Sequence, residues 1–330
     1  MLESFANFLQ NTGFYALISS GGIDAVKTII MIAIACVLLY LAIVKKFEPL
    51  LLLPIAFGML LSNLPMIKDS SAIMMHTEFF TNPEYMTDGK YINVGYICQH
   101  GGLLDLLYLG VKLGIYPPLI FVGIGCMTDF GPLIANPKSI LLGAAAQFGV
   151  FFTFVGALVL SALVPSINFG IKEAASIGII GGADGPTAIY VTKSLAPALL
   201  PAIAVAAYSY MALIPVIQPP IMKLMTRKKD RMIVMEQLRP VSKTEKILFP
   251  IIVTIIVALI IPDAVSLVGC LMLGNLMKES GVVERLTKMA QNELMNIITL
   301  FLGVTVGATA TASSFLSCLL YTSPSPRDCS

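Results

Sequence analysis

The sequence predicts an all-α polytopic membrane protein, and three observations support this class. Of its 330 residues, 57% are hydrophobic and 12% are charged, whereas a typical soluble domain has about 25% charged residues. Apolar runs long enough to cross or enter a bilayer recur along the chain. The formal net charge is only +2, so the composition gives no indication of nucleic-acid binding.

Five segments are predicted along the chain. They are an N-terminal amphipathic segment (1–23), a first transmembrane repeat (24–221), a cytoplasmic loop (222–246), an incomplete second repeat (247–317) and a non-native tail (318–330). The first segment carries phenylalanine and leucine at helical spacing, and it lacks the basic start of a signal peptide.

The apolar runs predicted to span or enter the membrane follow one another with short polar breaks. They are 28–44, 48–65, 103–127, 140–164, 195–217, 247–261, 265–277 and 296–316. Pro117 and Pro118 remove two backbone donors from the third run, so we expect a break or kink there. The pair Pro219 and Pro220 is expected to close the fifth run.

Loop charge orients these runs. Residues 222–246 contain eight lysines and arginines against three acids, whereas residues 66–102 contain two lysines against four acids. Because basic loops stay in the cytoplasm, the first loop is predicted inside and the second outside. With this assignment the run 140–164 ends outside, and the run 195–217 must begin outside because it ends at the inner loop. The segment 174–192 between them must therefore enter and leave the membrane on the same side.

The segment 174–192 contains the most informative residue, Asp184, within the string Gly181-Gly-Ala-Asp-Gly-Pro-Thr187. About nine residues precede the acid, and at ~1.5 Å per residue they reach ~13 Å, about half of a ~30 Å hydrocarbon core. The segment is therefore predicted to be a re-entrant hairpin. Asp184 itself has three interpretations: a turn residue, a structural acid paired with a lysine, or a cation or proton site.

For the cation interpretation, oxygen ligands are available around the carboxylate. Gly181, Gly182 and Ala183 offer backbone carbonyls and Thr187 offers a hydroxyl, and hard cations such as Na⁺ prefer such oxygens. Asn136, in the polar interruption that begins at Asp129, is a further candidate ligand, although this interruption also fits a simple loop. Tyr210 fits either a packing residue or a proton donor.

Other chemistry is not indicated. The six cysteines form no CxxC pair, and no P-loop, HExxH or GxSxG motif occurs. The chain has no biotin-attachment sequence.

A faint repeat relates 122–127 to 268–272. If this repeat is inverted, a second hairpin is expected after about residue 320, and none follows in the sequence. The proline- and serine-rich ending 318–330 resembles adapter or vector read-through, so a truncated chain with a foreign tail is expected; an authentic cytoplasmic tail is the alternative.

Four strings resemble the β subunits of the sodium-translocating decarboxylases, a family that acts on oxaloacetate, glutaconyl-CoA, methylmalonyl-CoA or malonate. The strings are LAIVKKFEPLLLLP (41–54), MTDFGPLIANP (127–137), GGADGPTAIY (181–190) and AAYSYM (206–211). The resemblance covers nearly all of residues 1–317.

The resemblance implies an elevator-type fold with inverted repeats, each with a re-entrant hairpin, in a multi-pass protein of the bacterial plasma membrane. It implies that carboxybiotin, presented by a carboxyltransferase α subunit, is decarboxylated with proton consumption and Na⁺ export. Asp184 and Tyr210 match the family's functional aspartate and tyrosine. A small γ/δ-type membrane subunit and a homo-oligomer are further implied partners.

Two further expectations concern activity. The family's later hairpin falls beyond residue 317, so the chain as given is expected to be inactive alone. A Na⁺-coupled secondary carboxylate transporter on the same scaffold is the alternative function, and it would need no biotin-carrying partner.

Overall fold

The structure, a computed structural model, describes residues 12–19, 21–47, 49–65, 75–80, 82–87, 91–164, 169–233 and 239–312. Within these ranges the chain is almost wholly helical. An antiparallel ribbon of two short strands, β1 (Met86–Thr87) and β2 (Tyr91–Ile92), interrupts the helices in the loop predicted to lie outside. The expected tail at 318–330 lies outside the described residues.

The α-helices are α1 (Gly13–Ser19), α2 (Gly22–Ile43), α3 (Pro49–Asn63), α4 (Val94–His100), α5 (Leu103–Lys112), α6 (Tyr116–Met127), α7 (Gly131–Ala135), α8 (Ile140–Leu163), α9 (Ile171–Gly178), α10 (Gly185–Leu195), α11 (Leu200–Met225), α12 (Lys243–Ile260), α13 (Val265–Ser280), α14 (Glu284–Met289) and α15 (Met295–Thr309). A π-helical turn, Ala290–Leu294, joins α14 to α15.

By length and composition, three helical stretches among the described residues can each cross a membrane: Gly22–Ile43, Pro137–Leu163 and Glu284–Thr309. A fourth crossing results if α5 and α6, which meet at an angle of 70°, form one broken span. The structure therefore agrees with the predicted class, a helical membrane protein.

Glycines allow α3 and α15 to pack backbone against backbone in parallel. A Cβ atom on Gly58 would lie 2.1 Å from the carbonyl oxygen of Val304, and one on Gly307 would lie 2.0 Å from that of Ile55. The Asn63 side chain then donates to the Ala310 carbonyl and accepts from the Ala312 amide, each at 2.8 Å. Backbone groups at the end of a helix have no partner within the helix. The two bonds from Asn63 provide partners for such groups at the end of α15.

The same reciprocal contact joins α6 to α13. A Cβ atom on Gly125 would lie 1.9 Å from the Leu271 carbonyl oxygen, and one on Gly274 would lie 2.0 Å from that of Val122. Asn275 donates to the Thr128 carbonyl over 3.1 Å, so the carboxyl ends of the two helices lie together. Small residues of this kind let helices in a membrane approach closely.

This pairing bears on the faint repeat, because α6 and α13 carry its two copies. The helices run parallel, whereas copies related by inversion would run in opposite directions across the membrane. The pairing therefore gives no support to an inverted relation between these two segments, and the inverted repeat remains a prediction.

Several helix ends differ from the apolar runs. The break in the third run falls at 113–115, just before the proline pair, because Gly114 takes a left-handed φ of 76° and prolines fit the first turn of the next helix. The expectation that Pro219 and Pro220 end the fifth run is wrong, because α11 continues to Met225. The last helical stretch begins at Glu284 rather than at 296. The charged residues before 296 kept this part of the helix out of the predicted apolar run.

Candidate functional site

The segment around Asp184 folds as two helices with a break between them. Helix α9 ends at Gly178, a 3₁₀ turn covers Ile179–Gly182, and α10 begins at Gly185. Ala183 takes left-handed torsion angles, φ 53° and ψ 35°, and Asp184 is extended. Because proline and three glycines surround the acid, a continuous helix is not favoured there.

The break packs against the middle of α8. A Cβ atom on Gly178 would lie 3.2 Å from the Val150 carbonyl oxygen, and one on Gly181 would lie 3.2 Å from that of Gly149. Val150 is the midpoint of the candidate span Pro137–Leu163. The tip of the hairpin is therefore level with the centre of a helix long enough to cross a membrane.

The Asp184 carboxylate is held by one side chain. The Thr187 hydroxyl donates a hydrogen bond to Oδ2 over 2.5 Å. Asp184 occupies the N-cap position of α10 but its side chain accepts no backbone amide there, and Pro186 has none to donate. Among the described residues Asp184 forms no ion pair, so neither helix capping nor a lysine partner accounts for the acid.

The backbone near the break has features that suit a cation. Carbonyl groups at the end of a helix carry partial negative charge, and here the end of α9 and its 3₁₀ turn face the break. The Gly181 carbonyl oxygen lies 3.9 Å from the Cβ position of Gly149, so it is on the α8 side of the tip. Gly182 is exposed and Ala183 is half-buried.

Tyr210 lies on α11, the next helix in the chain. Ala188 of α10 packs with Ile203 and Ala207 of α11 in one buried cluster, and the two helices run in opposite directions. One turn further along each helix brings Asp184 and Tyr210 to about the same level. Tyr210 is 41% exposed, and its hydroxyl has no hydrogen-bond partner among the described residues.

Asn136 is not brought to the tip. It is exposed and precedes α8, thirteen residues before Gly149, which corresponds to roughly 20 Å along the helix. Asp129 in the same interruption accepts a 2.9 Å hydrogen bond from the Gly131 amide. This bond, helped by Lys246, lowers the pKa of the Asp129 carboxyl. A structured loop explains these residues.

One polar group near the site was not singled out in the sequence. The Thr192 hydroxyl on α10 is fully buried and has no hydrogen-bond partner in the described part of the chain. No motif marks it, because an isolated threonine in an apolar helix usually bonds to its own backbone.

The described residues contain no group of three or more His, Cys, Asp and Glu side chains placed to hold a metal ion. A Na⁺ ion held by one carboxylate, a hydroxyl and backbone carbonyls would not need such a group.

These features define a polytopic helical membrane protein that carries an acid in a broken helix beside the centre of a span. Comparison with known families then identifies the group: the chain belongs to the β subunits of the Na⁺-transporting oxaloacetate decarboxylases, whose family model matches residues 27–320. It is thus a membrane protein of a family associated with sodium transport and decarboxylation.

Individual relatives agree. The chain is 57% identical over 316 residues to the methylmalonyl-CoA decarboxylase subunit beta of Propionigenium modestum, covering 96% of this chain and 76% of the relative. It is 49% identical over 314 residues to the glutaconyl-CoA decarboxylase subunit beta of Acidaminococcus fermentans, covering 95% and 72%. It is 50% identical over 318 residues to the oxaloacetate decarboxylase beta chain of Klebsiella pneumoniae, covering 87% and 72%.

Proposed function

We propose that the chain decarboxylates carboxybiotin and couples this reaction to Na⁺ export, with Asp184 as the residue that exchanges Na⁺ for H⁺. The observation that carries the proposal is the position of Asp184 in a helix break level with the centre of α8. A carboxylate at that depth is costly and is usually retained for ion movement. The decarboxylation reaction is proposed from the membership of the chain in the decarboxylase β-subunit family.

The balanced step is simple. Carboxybiotin and one proton give biotin and CO₂: the N–C bond to the carboxylate breaks, and the ring nitrogen takes the proton.

Asp184 would hold Na⁺ with the Thr187 hydroxyl and carbonyls of 181–183, and would take a proton when Na⁺ leaves. Moving one charge against 100 mV costs ~2.3 kcal/mol, a cost that CO₂ release can drive. Tyr210, level with the acid, is proposed as a proton donor.

The proposal includes the surroundings of the chain. A carboxyltransferase α subunit would present carboxybiotin, a small γ/δ-type subunit would share the membrane, and several copies of the chain would associate. The membrane would be the bacterial plasma membrane. The re-entrant hairpin at 174–192 and an elevator-type movement belong to the same proposal, and the packing of the tip on α8 supports the first of them.

The alternative, a Na⁺-coupled secondary carboxylate transporter, would use the same acid without biotin. The three relatives named for comparison are decarboxylase β subunits, and no observation specifically favours the transporter.

The deciding experiment replaces Asp184 by asparagine in the assembled complex, reconstituted in liposomes. We expect loss of both ²²Na⁺ transport and carboxybiotin decarboxylation, because the amide can neither hold the ion with a full charge nor exchange a proton. Asp263→Asn, an exposed acid between α12 and α13, is the matched control and should retain both activities. Normal, Na⁺-dependent decarboxylation by Asp184→Asn would refute the assignment.

A further inference from the structure

Two lysines converge at the elbow between α5 and α6. Lys112 is the last residue of α5, and Lys193 lies in the last turn of α10. The Lys193 Nζ atom is 2.5 Å from the Cβ position of Gly114, two residues after Lys112, so the two lysines belong to the same elbow. Each lies over a tyrosine ring, Lys112 at 5.6 Å from the centroid of Tyr108 and Lys193 at 5.9 Å from that of Tyr190.

This lysine pair has no acidic partner. No carboxylate in the described ranges forms an ion pair with either side chain, although both are half-buried. Two like charges held together and partly shielded from water are unfavourable unless an anion offsets them. Cation–π contacts position the ammonium groups but leave their net charge uncompensated.

The depth of the pair indicates the source of the anion, and this step rests on the re-entrant hairpin of the proposed function. Lys193 lies nine residues beyond Asp184 along α10, which corresponds to ~13 Å. With the tip at the centre of a ~30 Å hydrocarbon core, the pair lies close to the hydrocarbon boundary, where lipid phosphates begin.

The rim of the elbow is apolar. Leu113 and Ile115, on either side of Gly114, are 51% and 48% exposed. Exposed apolar side chains beside a pair of unpaired cations suit a ligand with both an anionic group and hydrocarbon chains. We propose that Lys112 and Lys193 bind the phosphate of an anionic phospholipid, whose acyl chains lie along Leu113 and Ile115.

The test measures lipid binding by the full chain, independently of pump activity. Purified protein in neutral detergent is titrated with phosphatidylglycerol or phosphatidylcholine, and thermal unfolding and native mass spectrometry report bound lipid. We expect phosphatidylglycerol to bind and stabilise preferentially, and the double variant Lys112→Gln/Lys193→Gln to weaken its apparent affinity about 10- to 30-fold. Inorganic phosphate alone at millimolar concentration should produce no shift.

Controls separate this site from general charge. Lys172→Gln removes an exposed lysine from the other arm of the same hairpin and should leave the preference unchanged, whereas Lys112→Arg/Lys193→Arg should preserve it if the fold is intact. Unchanged phosphatidylglycerol binding by the double Gln variant, or a shift with free phosphate but not with lipid, would overturn the proposal. Asp184→Asn should bind lipid normally, so failure here is distinct from failure of the proposed pump.

Discussion

Among single residues, Thr187 acts most directly on the Asp184 carboxylate, because its hydroxyl is the one side-chain donor to that acid among the described residues. A hydrogen bond to a charged group contributes about 1.5–3 kcal/mol, equivalent to roughly 10- to 100-fold in an equilibrium constant. Because the same hydroxyl is a proposed Na⁺ ligand, and an ion–oxygen contact is at least comparable in strength, we expect Thr187→Val to raise the Na⁺ concentration for half-maximal decarboxylation by at least about tenfold.

Thr187→Ser retains the hydroxyl and should stay within about twofold of the parent, so the pair of variants separates the hydroxyl from the packing of the methyl group. The measurement is the rate of decarboxylation as a function of Na⁺ concentration in the assembled complex. Equal Na⁺ dependence in the valine and serine variants would show that Thr187 is not a ligand.

The residues of the site differ in how far the sequence could predict them. Asp184 stands out because an acid among glycines and proline in an apolar run is costly, and its helix break follows from the same composition. The Thr187–Asp184 bond fits the three-residue spacing of a first helical turn. Thr192 and the lysine pair could not be predicted, because burial and convergence depend on which helices become neighbours.

Among the helices, the parallel contacts of α3 with α15 and of α6 with α13 join two helices of the first half of the chain to two helices of its last third. In each contact a glycine meets a backbone carbonyl, which cannot rotate away as a side chain can. Which glycines do this is not evident from the sequence, since Gly143 and Gly156 on α8 stand in equally apolar runs and face open space.

This difference gives a matched prediction. Gly125→Ala and Gly274→Ala should each lower the free energy of unfolding by about 1–3 kcal/mol, because the added methyl group overlaps a carbonyl oxygen of the facing helix. Gly143→Ala and Gly156→Ala should be neutral or slightly stabilising, because alanine favours the helix and meets nothing. Thermal unfolding of the four variants in one detergent is the measurement. Equal melting temperatures across the two pairs would contradict the packing.

Across the whole molecule, loop charge and helix pairing agree. If residues 222–246 lie inside, then α12 runs outward, α13 inward and the last span outward, while α3 runs outward and α6 inward. The pairs α3–α15 and α6–α13 are thus required to be parallel, as the structure has them. The class was accessible from composition, and the alternation of spans remains a prediction from loop charge. The helix partners were not accessible, because similar apolar faces can pair in many ways.

This orientation is testable with a native thiol. Cys98 on α4 is exposed in the loop predicted outside, and Lys228 is exposed in the basic loop predicted inside. In a background with the other cysteines replaced by serine, a membrane-impermeant maleimide should label Cys98 in right-side-out vesicles, because its thiol faces water there. In a background that lacks all native cysteines, Lys228→Cys should be labelled only in inside-out vesicles. Labelling of both positions from one side would break the alternation of spans, and with it the requirement that the segment carrying Asp184 enter and leave on the same side.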